Sequence, residues 1–366
     1  MDSEISLDTQ AVLLLRGKFD SRERELTAGQ YRVFAAALNT LGKRPADLLG
    51  DDASVAELVH QACLVPNENK HIRPATEEEI LGLLHRGIAL AMARGKWDAC
   101  GIHVVSRADE IYPKRMRTYL KGQAPDLIYY VGNPELFAGG GMAFVGARDL
   151  DDVAGEAIRK VARECVDLRM PIVSGGARGA DQVSMREAFD CGGQVIGALP
   201  CDLMKRCLES ETREALASGN TLLFSAFDPE AKPFKYSIVA MERNKYIYAM
   251  ADGCFVAQSG VGPKSGTWSG AHEDLKREGH HPVFVFLGNL PSLGDKPSDG
   301  CLKLQEEGAI AWDIEKSVSE NLDAVVQAAS CVCQPDSTSC VCQPDFFTGE
   351  SEPVRRIKKR TRKRAK

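Results

Sequence analysis

From residue 141 onward, short unbroken apolar runs alternate with longer segments whose apolar residues recur every three to four positions. The runs lie near 142–145, 171–174, 194–199, 221–225, 253–257, 282–287 and 309–311. Apolar residues without polar alternation suit strands covered on both faces, as in a parallel sheet. The intervening segments, near 153–168, 181–191, 202–218, 236–250 and 266–279, carry the helical period. This alternation predicts an α/β fold with a doubly wound, mostly parallel, Rossmann-like sheet. Two earlier stretches lead into it: Gly101 to Pro113 reads as a strand and a turn, Leu127 to Gly132 as a short strand.

The first hundred residues follow the helical period alone. Thr27 stands as an N-cap ahead of Tyr31, Phe34, Leu38 and Leu41, and Gly42 stops the run. Glu77 to Arg94 repeats the pattern through Ile80, Leu83, Leu84, Ile88 and Met92. An N-terminal helical accessory domain is expected over 1–100 and a Rossmann-like domain over 101–326. From 327 the periodicity ends. Ser330-Cys-Val-Cys-Gln-Pro-Asp336 returns as Ser339-Cys-Val-Cys-Gln-Pro-Asp345 in a tandem repeat, and a basic end follows. Residues 327–366 read as a disordered appendage with a basic tail.

Charge sharpens this division. The net charge of −5 conceals nine Lys and Arg residues in the last twelve, among them Arg355, Arg356, Lys358 and Lys359. Without those nine, residues 1–354 carry −14. A polycationic tail on an acidic body predicts attraction to DNA or RNA phosphates, with salt-dependent affinity and no sequence specificity of its own. No apolar run reaches the roughly 18 residues of a membrane span. The opening Met1-Asp-Ser-Glu-Ile-Ser6 shows no signal-peptide pattern, so a cytoplasmic protein with no membrane contact is expected. Eight of the twelve cysteines lie scattered between Cys63 and Cys301 and read as reduced thiols. Cys331, Cys333, Cys340 and Cys342 could hold zinc, but their spacing departs from the usual two-residue gap, and no metal is assigned.

Candidate chemistry gathers in two glycine-rich turns. Gly141-Met-Ala-Phe-Val-Gly-Ala-Arg148 is answered by Pro171-Ile-Val-Ser-Gly-Gly-Ala-Arg-Gly-Ala-Asp181. Each is a strand running into a turn that opens a helix, the arrangement that presents backbone N–H groups to an anion. Gly146, Ser174, Gly175 and Gly179 shape the turns, and Arg148 and Arg178 offer guanidinium forks to phosphate. The full Gly-x-Gly-x-x-Gly pattern is absent, so no nicotinamide role is indicated, and no cofactor is called for.

Five segments in order resemble the DprA/Smf family of DNA-processing proteins across roughly residues 100–290. They are Asp109-Glu-Ile-Tyr-Pro113 with Leu127-Ile-Tyr-Tyr-Val-Gly132, Val145-Gly-Ala-Arg148, Ser174-Gly-Gly-Ala-Arg-Gly-Ala-Asp181, Glu242-Arg-Asn-Lys-Tyr-Ile247 and Lys264-Ser-Gly-Thr-Trp-Ser-Gly-Ala271. The resemblance implies a Rossmann-like domain whose groove holds DNA, lined by Arg243, Asn244 and Lys245 and by Ser265, Gly266, Thr267 and Trp268. Lys245 departs from the family's second arginine. The cysteine repeat and basic tail stand where the family commonly carries a winged helix.

Two readings of function follow. In the first, a glycosylase-like hydrolase removes an unmodified or modified base from DNA in defence against foreign DNA. Asp181 or Glu273 would be the catalytic carboxylate, and Trp268 would stack on the flipped base. In the second, a non-catalytic single-strand binder loads a recombinase and pairs as a homodimer. The same residues also have plainer roles: Asp181 as a helix cap, Glu273 as a surface carboxylate, Trp268 as a core side chain.

Overall fold

A computed structural model describes residues 5–19, 24–67, 69–230, 236–288 and 298–323. Its helices, in chain order, are α1 (Leu7–Arg16), α2 (Ala28–Thr40), α3 (Asp52–Leu64), α4 (Glu77–Leu84), α5 (Gly87–Ala99), α6 (Lys114–Leu120), α7 (Asp152–Asp167), α8 (Ala180–Asp190), α9 (Leu203–Cys207), α10 (Ser210–Ala217), α11 (Tyr236–Met250), α12 (Gly266–Leu275) and α13 (Asp299–Glu306). Its strands are β1 (His103–Ser106), β2 (Leu127–Gly132), β3 (Met142–Val145), β4 (Ile172–Ser174), β5 (Val195–Ala198), β6 (Thr221–Ser225), β7 (Gly253–Val256), β8 (Val283–Phe286) and β9 (Ile310–Trp312). The described residues up to Asn321 belong to one compact unit.

The nine strands form one sheet in the order β1-β2-β6-β5-β4-β3-β7-β8-β9. From β6 to β9 every pairing is parallel, whereas β1 with β2 and β2 with β6 are antiparallel. The chain winds outward from β3 to β4 and β5, then returns to place β7 against β3's other edge. The seam between β3 and β7 is therefore the point where strand order reverses, the usual ligand crevice of open α/β sheets.

Burial explains why the strands read as continuous apolar runs. Along β2, Leu127, Tyr129 and Val131 join the core under the N-terminal helices, while Ile128 and Tyr130 join the core on the opposite face. β1 and β6 split the same way, with Val104 and Leu223 on the first face and Val105, Leu222 and Phe224 on the second. Alternate side chains point to opposite faces, and here both faces are covered.

The helical start packs against this antiparallel end. Trp97 of α5 meets Tyr129 edge-on, with ring centroids 5.2 Å apart. Thr9 of α1 donates to the Ser106 hydroxyl at 2.7 Å, and Asp109 accepts from the Ser106 backbone N–H at 2.7 Å. Asp109 also accepts from the Ser6 hydroxyl at 2.5 Å, and so helps hold the N-terminal segment to the sheet.

Two expected helices are each broken. The pattern from Glu77 to Arg94 divides at His85 and Arg86, where Arg86 turns back to donate to the Gly17 carbonyl at 3.0 Å near the end of α1. The span 202–218 divides into α9 and α10 because Glu209 adopts an extended conformation. The cysteine repeat and the basic tail, including Arg355, Arg356, Lys358 and Lys359, lie outside the described residues.

Candidate nucleic-acid interface

The turns after β3 and β4 and the start of α12 meet at the β3–β7 seam. Ala147 N–H donates to the Gln258 carbonyl at 2.8 Å, joining the turns that follow β3 and β7. Thr267 donates its hydroxyl to the Gly146 carbonyl at 2.9 Å and ties α12 to the same turn. Ala180 N–H donates to the Ala147 carbonyl at 3.3 Å, which brings in the second glycine turn. Gly179 has φ of +87°, and a Cβ there would collide with the Ala147 carbonyl. Both its conformation and its surroundings require glycine.

Asp181 sits at the start of α8, buried beneath this turn. Its Oδ2 accepts from the N–H groups of Gly175 at 3.1 Å and Ala177 at 3.3 Å. Two amides that the sequence offered to an external anion are thus taken up by an internal carboxylate. Arg243 of α11 reaches under the same turn. It donates to the Ala198 carbonyl at 2.8 Å and lies 3.9 Å from Asp181. It is only 4% exposed, and a Cβ on Gly175 would occupy the space of its guanidinium. Burial pushes the Asp181 carboxyl up, and the Arg243 charge opposes that shift. Burial likewise pushes Arg243 down, opposed by Asp181. An arginine stays protonated near neutrality, so the pair is a fixed internal brace.

Ser174 is fully buried and donates to the Phe144 carbonyl at 2.7 Å, tying β4 to β3. Ser265 caps α12, accepting from the Trp268 N–H at 3.3 Å, and Asn244 donates to the Gly266 carbonyl at 3.2 Å. Trp268 is half-buried and stacked on His272, with centroids 4.3 Å apart and planes 19° from parallel. Lys245 turns away from the seam and pairs with Glu242 at 3.3 Å. Consecutive helical residues lie about 100° apart, so Arg243, Asn244 and Lys245 cannot share one face.

Arg148 and Arg178, in the two turns that meet at the seam, are both exposed. Arg178 pairs with Asp149, and both side chains are largely in water, where such a pair contributes little, roughly 0–1 kcal/mol. A phosphate can displace it. Tyr236, at the start of α11, is 45% exposed, and it lies close enough to Arg243 to influence that charge. Tyr236 and Asp149 were missed because a helical period cannot show where a helix overhangs the sheet, and a lone aspartate in a turn carries no signal.

Glu273 lies apart from these groups. It is seven residues beyond Gly266, about 10 Å along the axis at roughly 1.5 Å per residue. Its side chain is 67% exposed and lies 3.6 Å from Arg277. Among the described residues, no group of three or more His, Cys, Asp or Glu side chains could hold a metal ion, and no helix is long and apolar enough to cross a membrane.

Residues 103–323 match the family model described as DNA recombination-mediator protein A. The chain is 30% identical over 202 residues to a DNA processing protein DprA of Streptococcus pneumoniae, covering 55% of this chain and 67% of that protein. It is 26% identical over 230 residues to a DNA processing protein DprA of Bacillus subtilis, covering 62% and 74% respectively. The X-ray structure of DprA from Streptococcus pneumoniae superposes with a TM-score of 0.62 at 21% identity, covering 88% of this chain and 98% of that one, a likeness of fold.

These relatives overturn the expectation of a base-excising hydrolase, because both curated proteins are DNA processing proteins rather than glycosidases. The expected catalytic carboxylates also have plain structural accounts. Asp181 is held by two amides and an arginine, and Glu273 is a solvated side chain beside Arg277.

Proposed function

The chain belongs to the DNA recombination-mediator protein A family, and from that premise we propose that it binds single-stranded DNA without cutting it. The strand's phosphates lie on Arg148 and Arg178 at the β3–β7 seam, against the turns formed by Gly146, Gly175 and Gly179 and by Thr267. The observation that carries this reading is the pairing of two exposed arginines with a braced interior. Asp181 and Arg243 hold the second turn from below, so its outer surface is preorganised for an anion without a mobile support. Tyr236 supports a single strand over a duplex, because only an unpaired base can stack on an exposed ring, worth roughly 1–3 kcal/mol. Trp268 already stacks on His272 and plays no such part.

The basic tail adds non-specific affinity and makes it salt-dependent. The bound strand is handed to a recombinase in the cytoplasm, and the protein acts as a homodimer. Fluorescence anisotropy with a labelled oligonucleotide tests the binding site. Arg148→Ala and Arg178→Ala should each weaken binding and lower the salt slope by about 0.7, as expected for one lost phosphate contact on a single strand. Unchanged affinity and slope in the double variant would rule the seam out. Recombinase filament assembly on coated single strands, with and without the protein, tests the loading step.

A further inference from the structure

A cavity of about 820 Å³ opens beyond the carboxyl end of β6. Its walls come from the end of α1, from α2 and α5, from the lead into β2, from the turn at 226–230 and from α11. Its size falls within the roughly 300–1,000 Å³ of small-molecule sites. It is separate from the seam: Arg148, Arg178 and Thr267 are not among its lining residues. The helix α11 stands between them. Arg243 and Asn244 reach Ala198 and Gly266, while Glu242, Lys245 and Tyr246 line the cavity.

Five basic and five acidic residues line this cavity. Three pairs satisfy one another: Arg16 with Asp126 at 3.1 Å, Lys96 with Glu230 at 2.9 Å, and Lys245 with Glu242 at 3.3 Å. Among the described residues Lys18, Arg32, Glu25 and Asp228 form no salt bridge, although Lys18 stands near enough to Asp228, and Arg32 to Asp126, to act on those carboxyls. Among the described residues Asp228 accepts one hydrogen bond, from the Glu230 backbone N–H at 2.9 Å. Beside it, Phe227 is half-buried and no other ring stacks on it among the described residues.

The remaining needs are specific. Two exposed cations that no carboxylate holds in a salt bridge are free to close on an anion, preferably one with several oxygens. A partly buried carboxylate calls for N–H donors. An uncovered aromatic face calls for a flat ring. We propose that this cavity is a second ligand site, distinct from the DNA seam, for a nucleoside monophosphate whose base carries an exocyclic amine. The phosphate sits on Lys18 and Arg32. The base lies against Phe227, and its amine donates to Asp228.

Cytidine and uridine 5′-monophosphates differ at the decisive group, an amine in one and a carbonyl in the other. Isothermal titration of the full chain should give saturable binding of the cytidine nucleotide and about tenfold weaker binding of the uridine nucleotide, the effect of one net hydrogen bond. Lys18→Glu with Arg32→Glu should abolish binding. Both side chains are exposed, so the core is untouched. Arg148→Glu should leave nucleotide binding unchanged while weakening oligonucleotide binding, which separates this site from the proposed DNA seam. The proposal fails if no nucleotide saturates, or if uridine and cytidine nucleotides bind alike. It fails equally if inorganic phosphate alone binds as tightly, or if Arg148→Glu removes binding that Lys18→Glu with Arg32→Glu retains.

Discussion

At the scale of single residues, the seam depends on positions that carry no charge. Gly179 combines a positive φ with contact against the Ala147 carbonyl, whereas Gly192 shares a positive φ but has open space around it. Gly179→Ala should therefore destabilise the protein by about 1–3 kcal/mol, and Gly192→Ala by less, as measured by denaturant unfolding. A loss at Gly192 equal to that at Gly179 would show that contact with Ala147 contributes nothing. Another titrating group lies apart from the seam. Asp274 is buried and accepts from the Tyr119 hydroxyl at 2.6 Å, and burial lifts its carboxyl to about 6 from an ordinary 3.8. The folded state then holds the proton more tightly than the unfolded chain. Stability should fall as pH rises through the window from about 4 to about 6. Burial lifts Asp228 to about 6 as well, so Asp274→Asn should reduce that slope in thermal melts across the window without removing it, and an unchanged slope would refute the assignment.

At the scale of elements, α11 links the seam to the rest of the fold. Arg243 reaches under the turn after β4, and Asn244 holds the first turn of α12. Asn244→Ala should loosen the start of α12 and weaken oligonucleotide binding although Asn244 need not touch DNA. Backbone amide exchange across 266–270 should rise with it. Tyr236→Ala should weaken single-strand binding by roughly 1–3 kcal/mol and leave any duplex binding unaltered; equal loss on both would remove the stacking role. The sequence showed these elements more clearly than their duties. Unbroken apolar runs placed the parallel strands because burial on both faces leaves no other pattern. The same property hid the antiparallel direction of β2, since a strand buried on both faces reads alike either way. In Arg243-Asn244-Lys245 the charges invited one shared role, but helical geometry sends the three side chains to three different places. Ser174 and Asp181 stood out in the sequence as part of a motif, yet only the hydrogen-bond partners show that they support the turn from within.

At the scale of the whole molecule, charge is divided between an acidic body and a basic end. A chain ending at residue 354 should retain seam binding at low salt. Its salt slope should fall by no more than about 6, the product of nine cations and roughly 0.7 per phosphate. Salt titrations of the full and shortened chains check this. An unchanged slope would mean that the tail does not engage the strand.

The order of strands has a consequence for when the site comes into being. Both exposed arginines are made before residue 180, but the turn that carries Arg148 is fastened by Gln258 and Thr267. β3 must also wait for β7, with Met142 opposite Gly253. Contacts between such distant segments close slowly, because a long loop must be ordered first. A chain still emerging from the ribosome therefore carries the arginines without the finished turn. The capacity to hold a strand arrives late, as a property of the completed fold.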